Sequence, residues 1–392
     1  MSGADQAHLP LDTPPQEPPC PWDESACAAA AGDDELEALR WLRAQDPPHL
    51  ARCRGALLGA LFGDALGAGV EGWPPVVIAA RFPEWLTVMP DGAEYTDDFQ
   101  MTLALAQSLG RRGCADALDM AAAYASAFDE RRGYAPAARA ALRALRAGAD
   151  PRATGRATYP EGSYGNGGAM HIAPLGLAYR RAPRAVLRRA AEAALLPTHV
   201  HPRGVDGAVM IAGAAAWLCR QPLGGGGGGG GGGGPAALVE HLSGLVATDA
   251  GRDVLARLGR ELQRRPECVC QPPVASWAAH LRSPLWLGSE LPAASRLAPG
   301  FQIEATAAAG AALWALCCHW ASPADAVVAA IHAGGDTDTI ACMAGALAGA
   351  LHGDGGLPPQ WLAAAECGAA AAAAAAAAAL AALDCVDAPP PW

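Results

Sequence analysis

Between Ala51 and Gly67 the chain places a glycine at every fourth position: Gly55, Gly59, Gly63 and Gly67. Leu57, Leu58, Leu61 and Phe62 fill the same stretch, a spacing that predicts a helix over about 51–66. Each glycine inside a helix costs about 1 kcal/mol relative to alanine. Four of them on one face permit a second helix to pack at close range. The segment ends in Gly63-Asp-Ala-Leu-Gly-Ala-Gly-Val-Glu71, where a carboxylate follows a glycine-rich turn. Helical periodicity recurs at about 34–45, 98–110, 115–129, 135–147, 170–180, 183–195, 205–219, 236–247, 251–264, 304–320, 323–332, 338–352 and 359–384. Period-two runs of β-branched residues are nearly absent and no internal repeat is visible, so the chain reads as all-α and not as a solenoid.

The 392 residues exceed the usual size of one core, but part of that length reads as filler. Residues 1–33 form a Pro/Ala-rich tail, 224–234 an unbroken glycine run, and 369–379 an alanine tract. Without them roughly 300 residues remain, enough for one large domain spanning 34–388. There is no lysine, and Asn166 is the only asparagine. A net charge of −11 disfavours a nucleic-acid surface, which needs clustered cations. Twelve cysteines lack a framework, and the start has no basic and apolar leader, so reduced thiols inside the cell are expected. Cys268-Val-Cys270 and Cys317-Cys318-His319 do not have zinc spacing. No stretch reads as a membrane span.

Two acidic stretches carry the chemistry. In His332-Ala-Gly-Gly-Asp-Thr-Asp-Thr-Ile340, Asp336 and Asp338 alternate with Thr337 and Thr339 behind two glycines. Hard oxygen donors this dense suit Mg²⁺ or Ca²⁺, although acids at a helix start also serve as N-caps. Far upstream, Tyr95-Thr-Asp-Asp98 opens another helix pattern. Adjacent carboxylates repel, and a cation removes that cost. Brought together, Thr96, Asp97 and Asp98 with Asp336, Asp338 and Thr339 could hold two bridged divalent ions.

Between these lies Glu161-Gly-Ser-Tyr-Gly-Asn-Gly-Gly-Ala-Met170, entering a helix. Four glycines and a serine there make a cradle of backbone amides for an anion, or else a flexible connector. It is neither a P-loop nor a Rossmann turn, lacking Gly-Lys-Ser/Thr and a preceding strand. In Thr198-His-Val-His201-Pro, His199 is read as a hydrogen-bonding group lining a pocket, since no third ligand has fitting spacing.

Taken in order, Gly63-Asp-Ala-Leu-Gly with Glu71, Tyr-Thr-Asp-Asp98, Gly-Ser-Tyr-Gly-Asn-Gly-Gly-Ala-Met170, Thr-His199 and Gly-Gly-Asp-Thr-Asp-Thr339 resemble the ADP-ribosylhydrolases related to the dinitrogenase reductase-activating glycohydrolase. The resemblance covers about residues 51–365, and the glycine string with Arg-Gly-Tyr134 upstream is most similar to the serine-directed branch. It implies an all-α orthogonal bundle and two Mg²⁺ ions held by Thr96, Asp97, Asp98, Asp336, Asp338 and Thr339, with Glu71 reaching one ion when no substrate is bound and acting as the catalytic residue once freed from it. Asp97, Gly162, Ser163, Tyr164, Gly165, Asn166, Gly167, Gly168 and His199 would contact ADP-ribose. ADP-ribosylated protein would be the substrate, acted on by a monomer in cytoplasm or nucleus without nucleic acid or membrane.

The chain departs from the family at three places. Phe99 stands where a threonine usually follows the Asp pair, and His171 replaces a common arginine. The stretch from Glu71 to Thr96, which forms a flap in the family, is short. Flap length bears on substrate choice, so linkage to arginine, poly(ADP-ribose) or O-acetyl-ADP-ribose stand as alternatives to serine. An inactive ADP-ribose-binding module is the alternative of another class.

Overall fold

The computed structural model describes residues 47–82, 88–90, 92–223, 233–264 and 302–392. Sixteen helices account for most of them: α1 (Pro47–Ala68), α2 (Pro75–Arg81), α3 (Asp97–Arg112), α4 (Ala117–Ala127), α5 (Pro136–Arg146), α6 (Pro151–Thr154), α7 (Ala173–Ala178) and α8 (Arg184–Leu195). They continue with α9 (Pro202–Leu218), α10 (Pro235–Ser243), α11 (Asp249–Arg264), α12 (Ala305–Cys318), α13 (Pro323–His332), α14 (Thr337–His352), α15 (Pro359–Ala364) and α16 (Ala369–Ala381). Among the described residues there is no strand, only isolated bridges Ala93–Ala365 and Gly165–Glu304. The all-α expectation holds. The expected tail 1–33, the helix 34–45, Cys268 and Cys270 lie outside the described residues, as does most of the glycine run.

The glycine stripe of α1 is the inner seam of the molecule. A Cβ on Gly59 would fall inside the van der Waals shell of the Gly345 carbonyl, and one on Gly345 would collide with the Gly59 carbonyl. Gly55 meets Gly349 in the same reciprocal way, Gly63 meets the Ala341 carbonyl, and Gly67 meets the backbone of Asp338. The paired numbers run in opposite senses, so α1 and α14 are antiparallel and touch backbone to backbone. Both helices are buried along nearly their whole length.

Arg52 secures one end of this pair. Its buried guanidinium donates to the carbonyls of Ala350 at 3.0 Å, Leu351 at 3.1 Å and Leu218 at 3.2 Å. These are last-turn carbonyls of α14 and α9, the groups a helix leaves without intrahelical donors.

Two expectations fail for tertiary reasons. The helix expected over 359–384 is broken at Ala365–Gly368, where Glu366 forms a two-pronged pair with Arg132, both contacts at 2.7 Å. Gly92 N donates to Ala364 O at 2.9 Å, and Gly368 takes φ +82°, so the chain turns before α16 starts. The alanine tract is also not filler. As α16 it packs on α1 and α3, with Ala373, Ala377 and Leu380 fully buried and Ala379 against Gly110. Helix α2 was not foreseen, because Pro75-Val-Val-Ile78 has no helical period and buries only Ile78.

Placing a side chain in the seam should be costly. Overpacking typically costs 1–3 kcal/mol or more, and here no side-chain rearrangement can relieve a clash with backbone. Gly59→Val is expected to lower the melting temperature by about 4 °C or more, while Gly355→Ala, where a Cβ meets nothing within 4 Å, should leave it nearly unchanged.

Candidate functional site

The seam delivers the end of α1 to the start of α14, and the acids gather there. Gly334 and Gly335 take φ +72° and +78°, the left-handed region that favours glycine. Gly335 N donates to Trp73 O at 3.1 Å and Gly72 N donates to Gly335 O at 2.8 Å. This pair of bonds ties the segment after Glu71 to the turn before Asp336. Thr337 Oγ1 donates to Gly67 O at 2.8 Å, anchoring α14 to the last turn of α1.

Asp336 occupies the N-cap position of α14, yet its side chain caps no amide of that helix. Its Oδ2 instead accepts from Asn166 Nδ2 at 2.6 Å. At α3, Thr96 is the N-cap residue, with a loose 3.4 Å bond from Asp98 N. Capping there is supplied from another helix: Asp64 on α1 accepts from Thr96 N at 3.0 and 2.9 Å, from Thr96 Oγ1 at 2.8 Å and from Phe99 N at 2.9 Å. The Phe99 departure therefore leaves the helix start capped, since the contact uses its amide while the ring packs edge-on against Tyr95 at 5.2 Å. Asp98, 2 % exposed, keeps Oδ1 buried without a partner. These acids do more than finish helices.

Carboxylate oxygens of Asp64, Asp98 and Asp338 lie within 4.8 Å of one another, and so do those of Glu71, Asp336 and Asp338. Asp338 belongs to both groups. Burial pushes Asp97, Asp98 and Asp338 well above the usual carboxylate range, and the neighbouring acids add to it. Burial and then the Asp338 charge push Asp64 up to about 7; burial pushes Asp336 up to about 6. Glu71 lies at the exposed edge and is also raised, by partial enclosure in the protein. An orphaned buried oxygen, the five carboxylates of the two groups and two hydroxyls fit a hard divalent cation. Thr339 sits beside Asp336 and Asp338, its amide donating to Asp338 Oδ1 at 2.9 Å.

The glycine string lies against this cluster. Asn166 donates to Asp336 and, at 3.0 Å, to Gln302 O, so the only asparagine joins the string to the acids. Gly162 takes φ +86° against Val200 and His201. A Cβ on Gly167 would press into the His199 ring at 2.8 Å, and one on Gly168 into Leu195. The amides of Gly162, Gly165 and Asn166 already donate to Tyr159 O, Ser163 Oγ and Ile303 O, so in this conformation anion binding cannot rest on those three. Tyr164 is exposed, its ring edge-on to His201 at 5.4 Å.

Two histidines flank Gly167. His171 Nδ1 bonds Gly167 O at 2.7 Å and its ring packs on Tyr124, while burial pulls its pKa down to about 3. Burial pulls His199 down to about 4, and its Nδ1 is buried with no partner. Both are neutral near pH 7, so neither places a fixed charge beside Gly167. Gln302 likewise buries both side-chain polar atoms without partners. Of the residues expected from the sequence, Glu71, Asp98, Asp336 and Asp338 meet in these groups and Asn166 is bonded to them, whereas Asp97 is in neither group; Asp64 and Gln302 were not expected there. Asp64 was visible within Gly63-Asp-Ala-Leu-Gly, but nothing local marked it as more than a helix residue.

The fold agrees with the comparisons. The family profile described as ADP-ribosylglycohydrolase matches residues 45–388, and the chain belongs to that family. ADP-ribosylhydrolase ARH3 of Gallus gallus is 30 % identical over 366 residues, covering 85 % of this chain and 93 % of the relative. The Homo sapiens ADP-ribosylhydrolase ARH3 is 30 % identical over 351 residues, covering 81 % and 90 %. ADP-ribosyl-[dinitrogen reductase] glycohydrolase of Rhodospirillum rubrum matches more locally, 35 % over 135 residues, covering 32 % and 44 %. A solved structure titled ADP-ribosylglycohydrolase-related protein complex superposes with a TM-score of 0.61 at 29 % identity, covering 85 % of this chain and 98 % of that one.

The acid cluster makes a pH prediction. Carboxyls whose folded pKa lies above the unfolded value of about 4 stabilise the fold at low pH and lose that contribution as pH rises through the folded value. For Asp336 and Asp64 that loss falls between about 4 and about 7. Without divalent ions, the melting temperature is expected to rise on acidification from about pH 7.5 to about 5.5. Saturating Mg²⁺ should flatten that rise, as scanning calorimetry would show.

Proposed function

We propose that the chain is a Mg²⁺-dependent hydrolase that releases ADP-ribose from ADP-ribosylated protein serine. One observation carries this reading: two carboxylate groups sharing Asp338 stand beside the glycine string, joined to it by the Asn166–Asp336 bond. The serine linkage is supported by the string Gly162–Met170 and by the ARH3 relatives.

Asp97, Asp98, Asp336 and Asp338, with Thr96, Thr339 and Glu71, would hold two cations, whose chemistry is to fix the distal ribose hydroxyls and polarise a water. The string from Gly162 to Gly168 and His199 would hold the rest of ADP-ribose. His199, neutral and packed against Gly167, would line the ligand's pocket with its imidazole. In the reaction the bond from the anomeric carbon to the seryl oxygen breaks and the water oxygen bonds that carbon. One proton from the water ends on the serine. Glu71, at the exposed edge with a raised pKa, is placed to take or give that proton.

The test is a product panel. With Mg²⁺, Ser-ADP-ribosylated peptide should yield free ADP-ribose and intact serine, and chelation should stop release. Glu71→Gln is expected to lower kcat by about 10²–10⁴-fold with ADP-ribose binding retained; unchanged turnover would remove Glu71 from this role. Faster release from arginine-linked ADP-ribose, poly(ADP-ribose) or O-acetyl-ADP-ribose would reassign the linkage. Tight ADP-ribose binding without turnover on any of the four would mark a binding module.

A further inference from the structure

We propose that Asp64 is a positioning residue of the cation site: it holds the Thr96–Asp98 helix start in its ligating pose from a neighbouring helix. The inference rests on the cation reading above and concerns a residue outside the expected ligand set. Its oxygens belong to the Asp64–Asp98–Asp338 group, all within 4.8 Å, which would also suit a direct ligand. The hydrogen bonds decide otherwise.

Oδ1 accepts from Thr96 N and Thr96 Oγ1, and Oδ2 accepts from Thr96 N and Phe99 N. Three protons, from Thr96 N, Thr96 Oγ1 and Phe99 N, serve the two oxygens, with Thr96 N shared between them, so each oxygen is engaged by protein donors. What Asp64 controls is the geometry of its neighbours. The amides of Thr96 and Phe99 bracket Asp97 and Asp98, and fixing both sets the direction in which those two carboxylates leave the backbone. The 2.8 Å bond from Thr96 Oγ1 is shorter than its 3.1 Å contact with Asp98 Oδ2, so the hydroxyl proton is drawn towards Asp64, and apart from the loose bond from Asp98 N the hydroxyl oxygen can face a cation. Asp64 is completely buried and follows Gly63, whose contact with Ala341 carries the seam up to this point. The position of the fork is therefore set by helix packing and not by a flexible loop. Groups that orient ligands in this way typically change metal affinity about 10–100-fold when lost.

A control inside the same chain separates positioning from plain capping. Asp206 is equally buried and accepts from Ala247 N, Thr248 N and Thr248 Oγ1, as well as from the Arg188 guanidinium, but belongs to neither carboxylate group. The experiment is calorimetric Mg²⁺ titration of the full chain, with melting temperatures taken with and without Mg²⁺. Asp64→Asn is expected to weaken Mg²⁺ binding about 10–100-fold and to shrink the Mg²⁺-induced rise in melting temperature. Asp206→Asn should lower the Mg²⁺-free melting temperature and leave Mg²⁺ affinity unchanged. Asp64→Glu, which keeps the charge but displaces the fork, should also bind Mg²⁺ more weakly and serves if Asp64→Asn does not fold. Wild-type Mg²⁺ affinity in either folded Asp64 variant overturns the inference and leaves Asp64 a helix cap. Absence of Mg²⁺ binding in the wild type would instead sink the cation reading itself.

Discussion

Contact between the backbones of α1 and α14 governs the molecule, because the chemistry hangs from the ends of that pair. Gly55, Gly59 and Gly63 meet Gly349, Gly345 and Ala341 with no side chain between. Larger residues would separate the axes, since helices normally pack 8–10 Å apart according to the side chains at the contact. The approach continues to Gly67 against Asp338, which is why a carboxylate that follows Gly63 can share a pocket with acids more than 270 residues later.

That closeness has an electrostatic cost. Five aspartates, Asp64, Asp97, Asp98, Asp336 and Asp338, converge where water is largely excluded, with Glu71 at the exposed edge, and burial raises the five together. Like charges in a low-dielectric site destabilise the fold unless they bind protons or a cation. Hydrogen bonds offset only part of this, through the donors on Asp64 and the Asn166 amide on Asp336. Helices Pro47–Ala68 and Thr337–His352, pinned by their seam and by Arg52, keep the acids from spreading apart. The arrangement is what a cation site looks like when built from rigid elements.

The ligand half of the site follows a different rule, adaptation by small residues. Gly167 and Gly168 lie so near His199 and Leu195 that side chains would not fit, and two neutral histidines stand on either side of Gly167. Reciprocal bonds between Gly72, Trp73 and Gly335 couple the segment carrying Glu71 to the turn carrying Asp336. A movement of one would be felt by the other.

Much was legible without coordinates. The four-residue glycine period announced a close helix pair, and the alternating Asp-Thr run a cluster of hard oxygen donors. Those signals are local: spacing on one helix and chemistry within a few residues. What the linear chain could not express was which segments meet. Asp64 reads as one more helix residue, and only packing on Thr96 and Phe99 gives it a task. The alanine tract has no polar pattern to orient it, yet α1 and α3 bury one face of it. The break at Glu366 depends on Arg132, 234 residues upstream, since a helix-forming sequence stops early when an ion pair and a left-handed glycine outweigh its propensity. The sequence by itself determined the helical class and the ligand chemistry, because both depend on neighbours along the chain. Tertiary structure alone decided the convergence of the acids, because that depends on how closely two distant helices can approach.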